Sequence, residues 1–362
     1  MTNTPFRFDY VGSFLRPAAL KEARANYKNG TISATQLKAV EDETITDLIQ
    51  KQKKAGFHVI TDGEFRRATW HLDFMWGFNG VTHKPSNNPI HFHETTTDLE
   101  DTYLVSKVSV DSHPFVEHFK FVKQFEDENT VAKQTIPAPA QFFLQCTFKD
   151  NVESTHAIYP NIEDLIQDLA TAYQKVIQDL YDAGCRNLQL DDCSWGMFFG
   201  HELTEESRAY ALQLLKVNNL AISKAPKDMV INTHICRGNY NSDYFSQGAY
   251  DSVADIVFGQ ENVNAYYLEF DDERSGGFEC LKEVSGDKKV VLGLITTKRP
   301  ELEDKDYIVS RIQRASKYIP LDRLCLSPQC GFASCEVGNK LTEEQQWNKL
   351  ALVRKIAEEV WR

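Results

Sequence analysis

Short β-rich runs that alternate with helical patterns restrict the fold of this chain more than any other feature. Eight such runs recur along the 362 residues, and most of them are followed by a helix-like stretch. They lie at 8–14, 58–65, 132–143, 186–192, 229–236, 264–272, 289–298 and 323–330. Eight strands with helices between them predict a (β/α)8 TIM barrel, an α/β fold. An open doubly wound sheet is the rival, but no G-x-G-x-x-G or P-loop pattern follows a strand to favour it.

Two segments account for the length beyond a minimal barrel. Such barrels typically take ~250 residues, so roughly a hundred residues of this chain are extra. We place them in an N-terminal helical extension, 18–55, and in an insertion near 80–130, where the run YLVSKVSV predicts a hairpin. The chain shows no repeat, low-complexity tract or obvious linker. We therefore expect a single catalytic barrel domain over 1–362.

Charge and composition exclude several classes of function. The net charge of −12 argues against a general nucleic-acid binder and against docking on an anionic membrane surface. No apolar run approaches the ~20 residues of a spanning helix, and the start lacks the apolar core of a signal peptide. The eight cysteines are then expected to be thiols, ligands or core residues rather than disulfides. We expect a cytoplasmic protein.

Polar side chains collect where the predicted strands end. In a barrel, the active site lies at the carboxyl ends of the strands. The polar residues at these positions are Ser13, Asp62, Glu64, Asp191, Asp192, Cys193, His234, Cys236, Glu269, Lys298 and Cys330. Core residues placed independently of one another would not concentrate there, so the pattern indicates an active site.

The stretch INTHICRGN holds an imidazole and a thiol two residues apart. Strand side chains alternate between faces, so His234 and Cys236 are expected to point the same way. Together with Cys330 and Glu269 they form a tetrahedral, zinc-type ligand set. A bound zinc ion would lower the pKa of a substrate thiol, and displacement of the carboxylate would open a coordination position. On its own, an H-x-C pair is more often a packed core pair than a metal site.

Other reactive residues have structural and functional interpretations. Cys146, Cys185, Cys280 and Cys325 are expected to be structural, and so are Cys193 and Cys335, which lack an obvious partner. Asp62 and Glu64 fit an ammonium site or a helix cap, whereas Asp191 and Asp192 must face opposite ways. Four histidines could form a second metal site or be solvated loop residues: His91, His93, His113 and His118. Four further residues could line a substrate entrance or pack in the interior or on the surface: Arg66, Arg67, Trp70 and Trp195.

Six short motifs occur in a fixed order along the chain: VGSF, TDGEF, LQLDD, THIC, YLEF and LSPQCG. This set resembles the catalytic barrel of cobalamin-independent methionine synthase, and in particular the short single-barrel members that lack the N-terminal barrel. The resemblance runs from about Tyr10 to the final helix. No single motif is specific, but the ordered set is.

The resemblance implies an activity and a set of site residues. The family's zinc ligands fall on His234, Cys236, Glu269 and Cys330. Its substrate homocysteine is held by residues that match Ser13, at the carboxylate, and Glu64 and Asp191, at the ammonium group. The implied reaction is attack of a zinc-bound homocysteine thiolate on a methyl group, which yields methionine.

The chain departs from the family in ways that leave the methyl donor open. The family's histidine after the seventh strand is matched here by Lys298, a different acid, and the insertion near 80–130 has no counterpart that we can align. Methyltetrahydrofolate, including its polyglutamate form, is the default donor, and a corrinoid protein is another. A coenzyme M-type or epoxide–thiol transferase is an alternative, although Glu64 and Asp191 would repel a sulfonate. A non-catalytic barrel or a decarboxylase of the uroporphyrinogen type would not require the cysteines and the glutamate together.

Overall fold

A six-stranded parallel sheet lies at the centre of the protein. The structure, a computed structural model, describes residues 4–86, 89–97, 99–148 and 151–362. The strands lie across the sheet in the order β12 (Leu324–Pro328), β11 (Lys289–Ile295), β10 (Ala265–Glu269), β9 (Val230–Ile235), β8 (Asn187–Asp192) and β7 (Gln134–Pro137). Strands that are consecutive in the chain are neighbours in the sheet, as repeated β–helix–β units require. The carboxyl ends of all six therefore lie along one edge.

The other six strands of the described residues form three two-stranded sheets. One of these sheets is parallel and two are antiparallel. The pairs are β1 (Val59–Ile60) with β6 (Val131–Ala132), β2 (Asn79–Lys84) with β5 (Asp101–Ser109), and β3 (Ile90–His91) with β4 (Thr96–Thr97).

Helices connect the strands and cover the sheet. The α-helices of the described residues are α1 (Ala18–Lys28), α2 (Ala34–Lys54), α3 (Leu72–Met75), α4 (Pro114–Lys123), α5 (Pro139–Thr147), α6 (Asn151–Ile158), α7 (Ile162–Asp182), α8 (Glu205–Ile222), α9 (Ala254–Gln260), α10 (Lys305–Ala315) and α11 (Glu343–Val360). Short 3-10 helices lie at Ser194–Phe198, Tyr250–Ser252, Glu273–Ser275, Glu279–Glu283 and Leu321–Arg323. None of the helices within the described ranges is long and apolar enough to cross a membrane.

Helix α7 shows how the sequence encodes these elements. The Asn161 side chain accepts a hydrogen bond from the Glu163 amide at its start, and Gly184 follows its end at a φ of 96°. Leu165, Leu169 and other apolar residues at helical spacing are buried. Each such side chain stabilises the fold by about 1.5–3 kcal/mol relative to its exposed state.

The five later predicted strands, from 186–192 to 323–330, are confirmed as β8 to β12, with their ends shortened. The third, 132–143, is wrong in its second half, because Pro139 begins helix α5. The second, 58–65, shortens to β1, since the chain turns at Gly63 with a φ of 66°.

The first predicted strand, 8–14, is not a strand. Phe8 makes an isolated parallel bridge with Leu326, and the Phe14 amide donates to the Gly63 carbonyl at 3.1 Å. The segment thus contacts β12 at one end and the turn after β1 at the other. The described pairing gives an α/β fold around a six-stranded parallel sheet, and the closed eight-stranded barrel stays a prediction.

One of the two extra segments adopts the expected structure. The N-terminal extension forms α1 and α2, and Ser33 begins α2 with a reciprocal capping box. In the insertion, the run YLVSKVSV is a single strand, β5, that pairs antiparallel with β2, so the prediction that this run alone forms a hairpin is wrong.

Candidate metal and amino-acid site

Three of the predicted metal ligands lie together at the edge formed by the carboxyl ends of the strands. His234 belongs to β9, Cys236 follows β9 directly, and Cys330 lies just beyond β12. One ligand atom of each lies within 4.8 Å of the others, and all three residues are buried. The parallel strands cause this convergence, because each residue stands where its strand ends.

The His234 ring is oriented for ligation. Its Nδ1 lies 3.2 Å from the Tyr267 carbonyl oxygen, which fixes the proton on that nitrogen. Its Nε2 is buried and has no hydrogen-bond partner in the described part of the chain. A buried polar atom without a partner is costly, and a metal ion would remove that cost.

The two thiols also fit a cation. The Cys193 thiol and burial raise the pKa of Cys236 well above its usual range. The Cys236 thiol and burial do the same to the pKa of Cys330. A divalent ion is the group that converts such buried thiols to thiolates. The donor set of two sulfurs and one imidazole suits zinc.

Glu269, the fourth predicted ligand, lies outside this group of three in the structure. Its Oε2 accepts a hydrogen bond from the Arg237 amide at 3.0 Å. Its Oε1 accepts from Arg274 and lies 3.5 Å from Nζ of Lys298. Burial lowers the pKa of Lys298. We call Arg237, Arg274 and Lys298 the Glu269 cradle.

Cys193 is the residue that the sequence analysis missed. Its Sγ lies 3.0 Å from Sγ of Cys236, so the expectation that it has no partner is wrong. Strands β8 and β9 pair with Asp192 opposite Ile235, so the next residues on each are also side by side. The adjacency of the two strands, read together with their ends, was the signal that pointed to this contact.

Two buried carboxyl groups adjoin the three ligands. Asp191 is the register partner of His234 on the neighbouring strand. Burial and the charge of Glu64 raise the pKa of Asp191 well above its usual range. Burial likewise raises the pKa of Glu64, against the opposing charge of Arg67. Two acids that repel each other in this way would be stabilised by an ammonium group between them.

One carboxylate oxygen of Glu64 has a hydrogen-bond partner among the described residues, and the other does not. Oε1 accepts from the Thr135 hydroxyl at 3.1 Å and lies 3.4 Å from the Arg67 guanidinium. Oε2 is buried without a hydrogen-bond partner among the residues described. The backbone of Glu64 has a φ of 63°, a left-handed conformation that is unfavourable for this residue. Such strain concentrates at functional sites.

Asp191 and its neighbour face opposite sides of the sheet, as the alternation predicts. Asp191 accepts a hydrogen bond from Nε2 of Gln189 at 2.7 Å. Asp192 instead accepts from Trp195 and Asn218 on the outer side. Trp195 is fully buried, so it has a packing role rather than one at a substrate entrance.

Ser13 lies against the loop that carries Cys330. Its carbonyl accepts from the Phe332 amide at 2.9 Å. A Cβ atom placed on Gly331 would lie only 1.8 Å from Oγ of Ser13, so a larger residue at position 331 would displace the Ser13 hydroxyl. Ser13 and the two acids thus come from three separate segments: the stretch before α1, the turn after β1 and the end of β8.

The other candidates from the sequence do not form a second metal site among the described residues. The described residues contain no second group of three metal-ligand side chains at this spacing. His113 bonds the Phe74 carbonyl, and burial lowers its pKa to about 4, so it is a structural residue. Arg66 pairs with Glu41 and Asp42. Buried cysteines with thiol pKa values raised by burial are Cys146, Cys185, Cys280 and Cys325.

Comparison with known proteins identifies the family. The family model described as the catalytic domain of cobalamin-independent synthase matches residues 8–82 and 158–359. The chain belongs to this family. The stretch between the two matched segments contains most of the insertion, which agrees with its lack of a counterpart. Members of the family are zinc-dependent in general.

Curated relatives and solved structures extend over nearly the whole chain. The chain is 43% identical to the uncharacterized protein YxjH of Bacillus subtilis, over 99% of this chain and 95% of that protein. It is 25% identical to a methionine synthase of Saccharolobus solfataricus, over 89% of this chain and 86% of that enzyme.

The putative vitamin-B12-independent methionine synthase of Listeria monocytogenes has a similar structure, with a TM-score of 0.79, 37% identity and coverage of 99% and 98% of the two chains. The B12-independent methionine synthase of Shewanella sp. W3-18-1, solved with selenomethionine, has a TM-score of 0.74 at 20% identity, covers 98% and 97%, and shares the fold alone. The fold is thus that of methionine synthase catalytic domains.

Proposed function

We propose that this protein is a zinc-dependent S-methyltransferase that converts homocysteine to methionine. The observation that carries the proposal is the convergence of His234, Cys236 and Cys330, in which Nε2 of His234 is buried and has no hydrogen-bond partner among the residues that the structure describes. The family supports methyl transfer as the reaction class. The chain acts as a single catalytic unit in this proposal.

Zinc would be held by His234, Cys236 and Cys330, with Glu269 as the predicted fourth ligand. When bound, zinc lowers the pKa of a substrate thiol so that it is nucleophilic near neutral pH. To become a ligand, the Glu269 carboxylate would give up its contacts with Arg274 and Lys298, and Arg274 would keep its ion pairs with Asp271 and Asp272. The cradle therefore makes Glu269 an exchangeable ligand rather than a permanent one.

The amino-acid part of the substrate would lie between Ser13, Glu64 and Asp191. An ammonium group beside the open Oε2 of Glu64 relieves the repulsion between the two acids. The Ser13 hydroxyl would donate to the carboxylate. The same pair of acids disfavours a sulfonate substrate of the coenzyme M type.

Lys298 is proposed to act on the methyl donor. Its side chain is 7% exposed and lies beside Glu269. Burial lowers the pKa of the ammonium, which makes it a better proton donor to a departing nitrogen than an exposed lysine. In the transfer, the sulfur–carbon bond forms, the donor's nitrogen–carbon bond breaks, and that nitrogen takes up a proton. We propose 5-methyltetrahydrofolate, in its polyglutamate form, as the donor.

The test is methionine formation by the zinc-loaded protein from homocysteine and 5-methyltetrahydrofolate. Mono- and polyglutamate donors are compared, and the zinc content of the same sample is recorded. Turnover is expected, and Lys298→Met should lower kcat while zinc content stays the same. A zinc-replete protein that binds homocysteine and ignores both folates would overturn the donor assignment and favour a corrinoid protein or another carrier. A protein that binds neither zinc nor homocysteine would overturn the whole proposal.

A further inference from the structure

We propose that a buried pair of side-chain amides, Asn239 and Asn339, holds the loops of the metal site in place. The inference rests on the proposed function and deepens it, since it assigns positioning residues for Cys236, Cys330 and Lys298. The site residues predicted from the sequence include neither asparagine. The observation behind the inference is a hydrogen-bond network that joins the loops after three strands.

The three loops follow strands β9, β11 and β12. The first carries Cys236 and Asn239, the second carries Lys298, and the third carries Cys330 and Asn339. The parallel sheet fixes where each loop begins. Contacts between the loops then determine how closely their functional residues approach one another.

Asn339 connects the third loop to the other two. Its Nδ2 donates to Oδ1 of Asn239 at 2.9 Å and to the Thr297 carbonyl at 2.9 Å. Oδ1 of Asn339 accepts a hydrogen bond from the Ser242 amide at 2.9 Å. Thr297 directly precedes Lys298 in the chain. One side chain thus bonds the β9 loop in two places and the backbone next to Lys298 in one.

Asn239 connects the β9 loop to the loop of Cys330. Its Nδ2 donates to the Gly331 carbonyl at 2.8 Å and to Oγ of Ser334 at 3.2 Å. Gly331 directly follows Cys330, and Oγ of Ser334 lies 3.9 Å from the Cys330 sulfur. The Thr297 hydroxyl donates to the same Gly331 carbonyl at 2.9 Å. The backbone next to Cys330 is therefore bonded to both of the other loops.

The chemistry of these contacts allows each amide a single orientation. The Thr297 and Gly331 carbonyls can only accept a hydrogen bond, so Nδ2 of each asparagine must face them. Both asparagines are 6% exposed, and a buried donor or acceptor that loses its partner is costly. Loss of one amide therefore leaves the other without that partner and weakens the connection between the loops.

The rate of zinc release tests this connection. Zinc-loaded protein is mixed with a chromophoric chelator in the absence of homocysteine and of a methyl donor. Loss of residues that orient metal ligands typically lowers metal affinity by about 10- to 100-fold, so we expect Asn239→Ala and Asn339→Ala each to release zinc about tenfold faster. In the double variant the acceleration should fall short of the product of the two, because the side chains act through each other.

Asn151→Ala is the matched control. Nδ2 of Asn151 donates to the Thr102 and Gln145 carbonyls at 2.8 and 2.7 Å, so this variant also loses two hydrogen bonds of a side-chain amide. Asn151 lies outside the metal-ligand group. Urea unfolding of the metal-free proteins should show a lower midpoint concentration for both Asn151→Ala and Asn339→Ala. Zinc release should accelerate in Asn339→Ala and stay at the parent rate in Asn151→Ala.

Other results would overturn the inference. Zinc release at the parent rate in both Asn239→Ala and Asn339→Ala would show that the amides do not position the ligands, and Asn239→Ala decides the matter if Asn339→Ala does not fold. Equal acceleration in Asn151→Ala would attribute the effect to general destabilisation. A protein that binds no zinc would overturn the inference together with the proposed function. Faster zinc release in the variants of a protein that forms no methionine would support the inference while the proposed function fails.

Discussion

Two clusters of buried polar residues lie along the same sheet and differ in how completely they are hydrogen-bonded. The floor cluster is Asp9, Lys133 and Tyr267. The Lys133 ammonium lies 3.2 Å from Oδ1 of Asp9, and the Tyr267 hydroxyl donates to Oδ2 at 2.6 Å. The Asp9 and Lys133 side chains are both 0% exposed. Each charge in this cluster thus has a partner within the protein.

The mouth cluster, at the carboxyl ends of the strands, is Glu64, Asp191, His234, Cys236 and Cys330. Oε2 of Glu64 and Nε2 of His234 have no hydrogen-bond partner in the described ranges. The floor and the mouth are equally buried, so burial alone does not distinguish structural from functional polar groups. The two clusters differ in their hydrogen bonding. The charges of the floor are paired within the protein, whereas the mouth has buried polar atoms to which a ligand could bind.

The largest expected effect is complete loss of metal from the mouth. Cys236→Ser and Cys330→Ser should each remove stoichiometric zinc and abolish activity, because each deletes a thiolate from a small donor set. The metal-free proteins should keep the circular dichroism spectrum of the metal-free parent. Elemental analysis of purified protein is the measurement. A variant that retained one zinc per chain would contradict that ligand assignment.

Removing a charge from the floor should instead destabilise the fold. Lys133→Met leaves the buried Asp9 carboxylate without its cationic partner. We expect the free energy of unfolding to fall by about 3–5 kcal/mol. Urea unfolding measures it. Tyr267→Phe, a milder change for use if Lys133→Met does not fold, should cost about 1–2 kcal/mol. Zinc content should not change in either folded variant. A loss of zinc without a loss of stability would contradict the assignment of a structural role to the floor and a metal-binding role to the mouth.

Neutralising an acid of the mouth should weaken substrate binding and leave both zinc and fold in place. For Glu64→Gln and Asp191→Asn we expect a roughly 10- to 100-fold rise in the Kd of homocysteine, about 1.4–2.8 kcal/mol, from loss of a charge-assisted hydrogen bond to the ammonium group. Calorimetry on the zinc-loaded variants measures this Kd. Unchanged affinity in both variants would move the amino-acid site elsewhere.

The smallest expected effect concerns a third buried acid, Glu261, outside the two clusters. Burial, followed by the charge of Asp192, raises the pKa of Glu261 to about 8. The folded protein therefore holds a proton that the unfolded chain releases above its ordinary pKa of about 4.3, and stability should fall as the pH rises between these values.

The slope near neutrality is about 1.4 kcal/mol per pH unit at most. Urea unfolding at pH 6.5 and 7.5 should thus show a loss of about 1 kcal/mol in the parent protein. Glu261→Gln keeps the hydrogen bond from Asn218 and should reduce this loss. An equal loss in the variant would show that Glu261 does not titrate there.

The sequence predicts the later strands well because each is a short, β-prone run that follows a helical pattern, and nearly all of its residues are buried. It fails at 8–14, where strand-like residues make a bridge at Phe8 and then turn, since pairing depends on a partner far away in the chain. The grouping of His234 with Cys236 follows from local alternation. The pairing of Cys193 with Cys236 requires the register of two strands, which composition does not reveal.

The contacts of the Glu269 cradle could not be predicted from the sequence either. Arg237 and Arg274 come from the segments that follow β9 and β10, and such connecting segments carry no periodicity from which their paths can be read. A carboxylate at a strand end has the same sequence signature whether it faces a metal or an arginine. Only the folded arrangement distinguishes the two.

The amide of Gln189 connects the two clusters in one fixed direction. Its oxygen accepts from the Lys133 ammonium at 3.2 Å, and its nitrogen donates to Asp191 at 2.7 Å and to the Val11 carbonyl at 2.8 Å. Since an ammonium cannot accept a hydrogen bond, the oxygen must face the floor and the donors must face the mouth. The floor lysine thereby fixes which end of the Gln189 amide faces Asp191, an acid that we propose binds the substrate ammonium group. Lys133 therefore determines how Asp191 is hydrogen-bonded, although it lies in the other cluster. A substitution in the floor cluster would also change the hydrogen bonding of the mouth cluster.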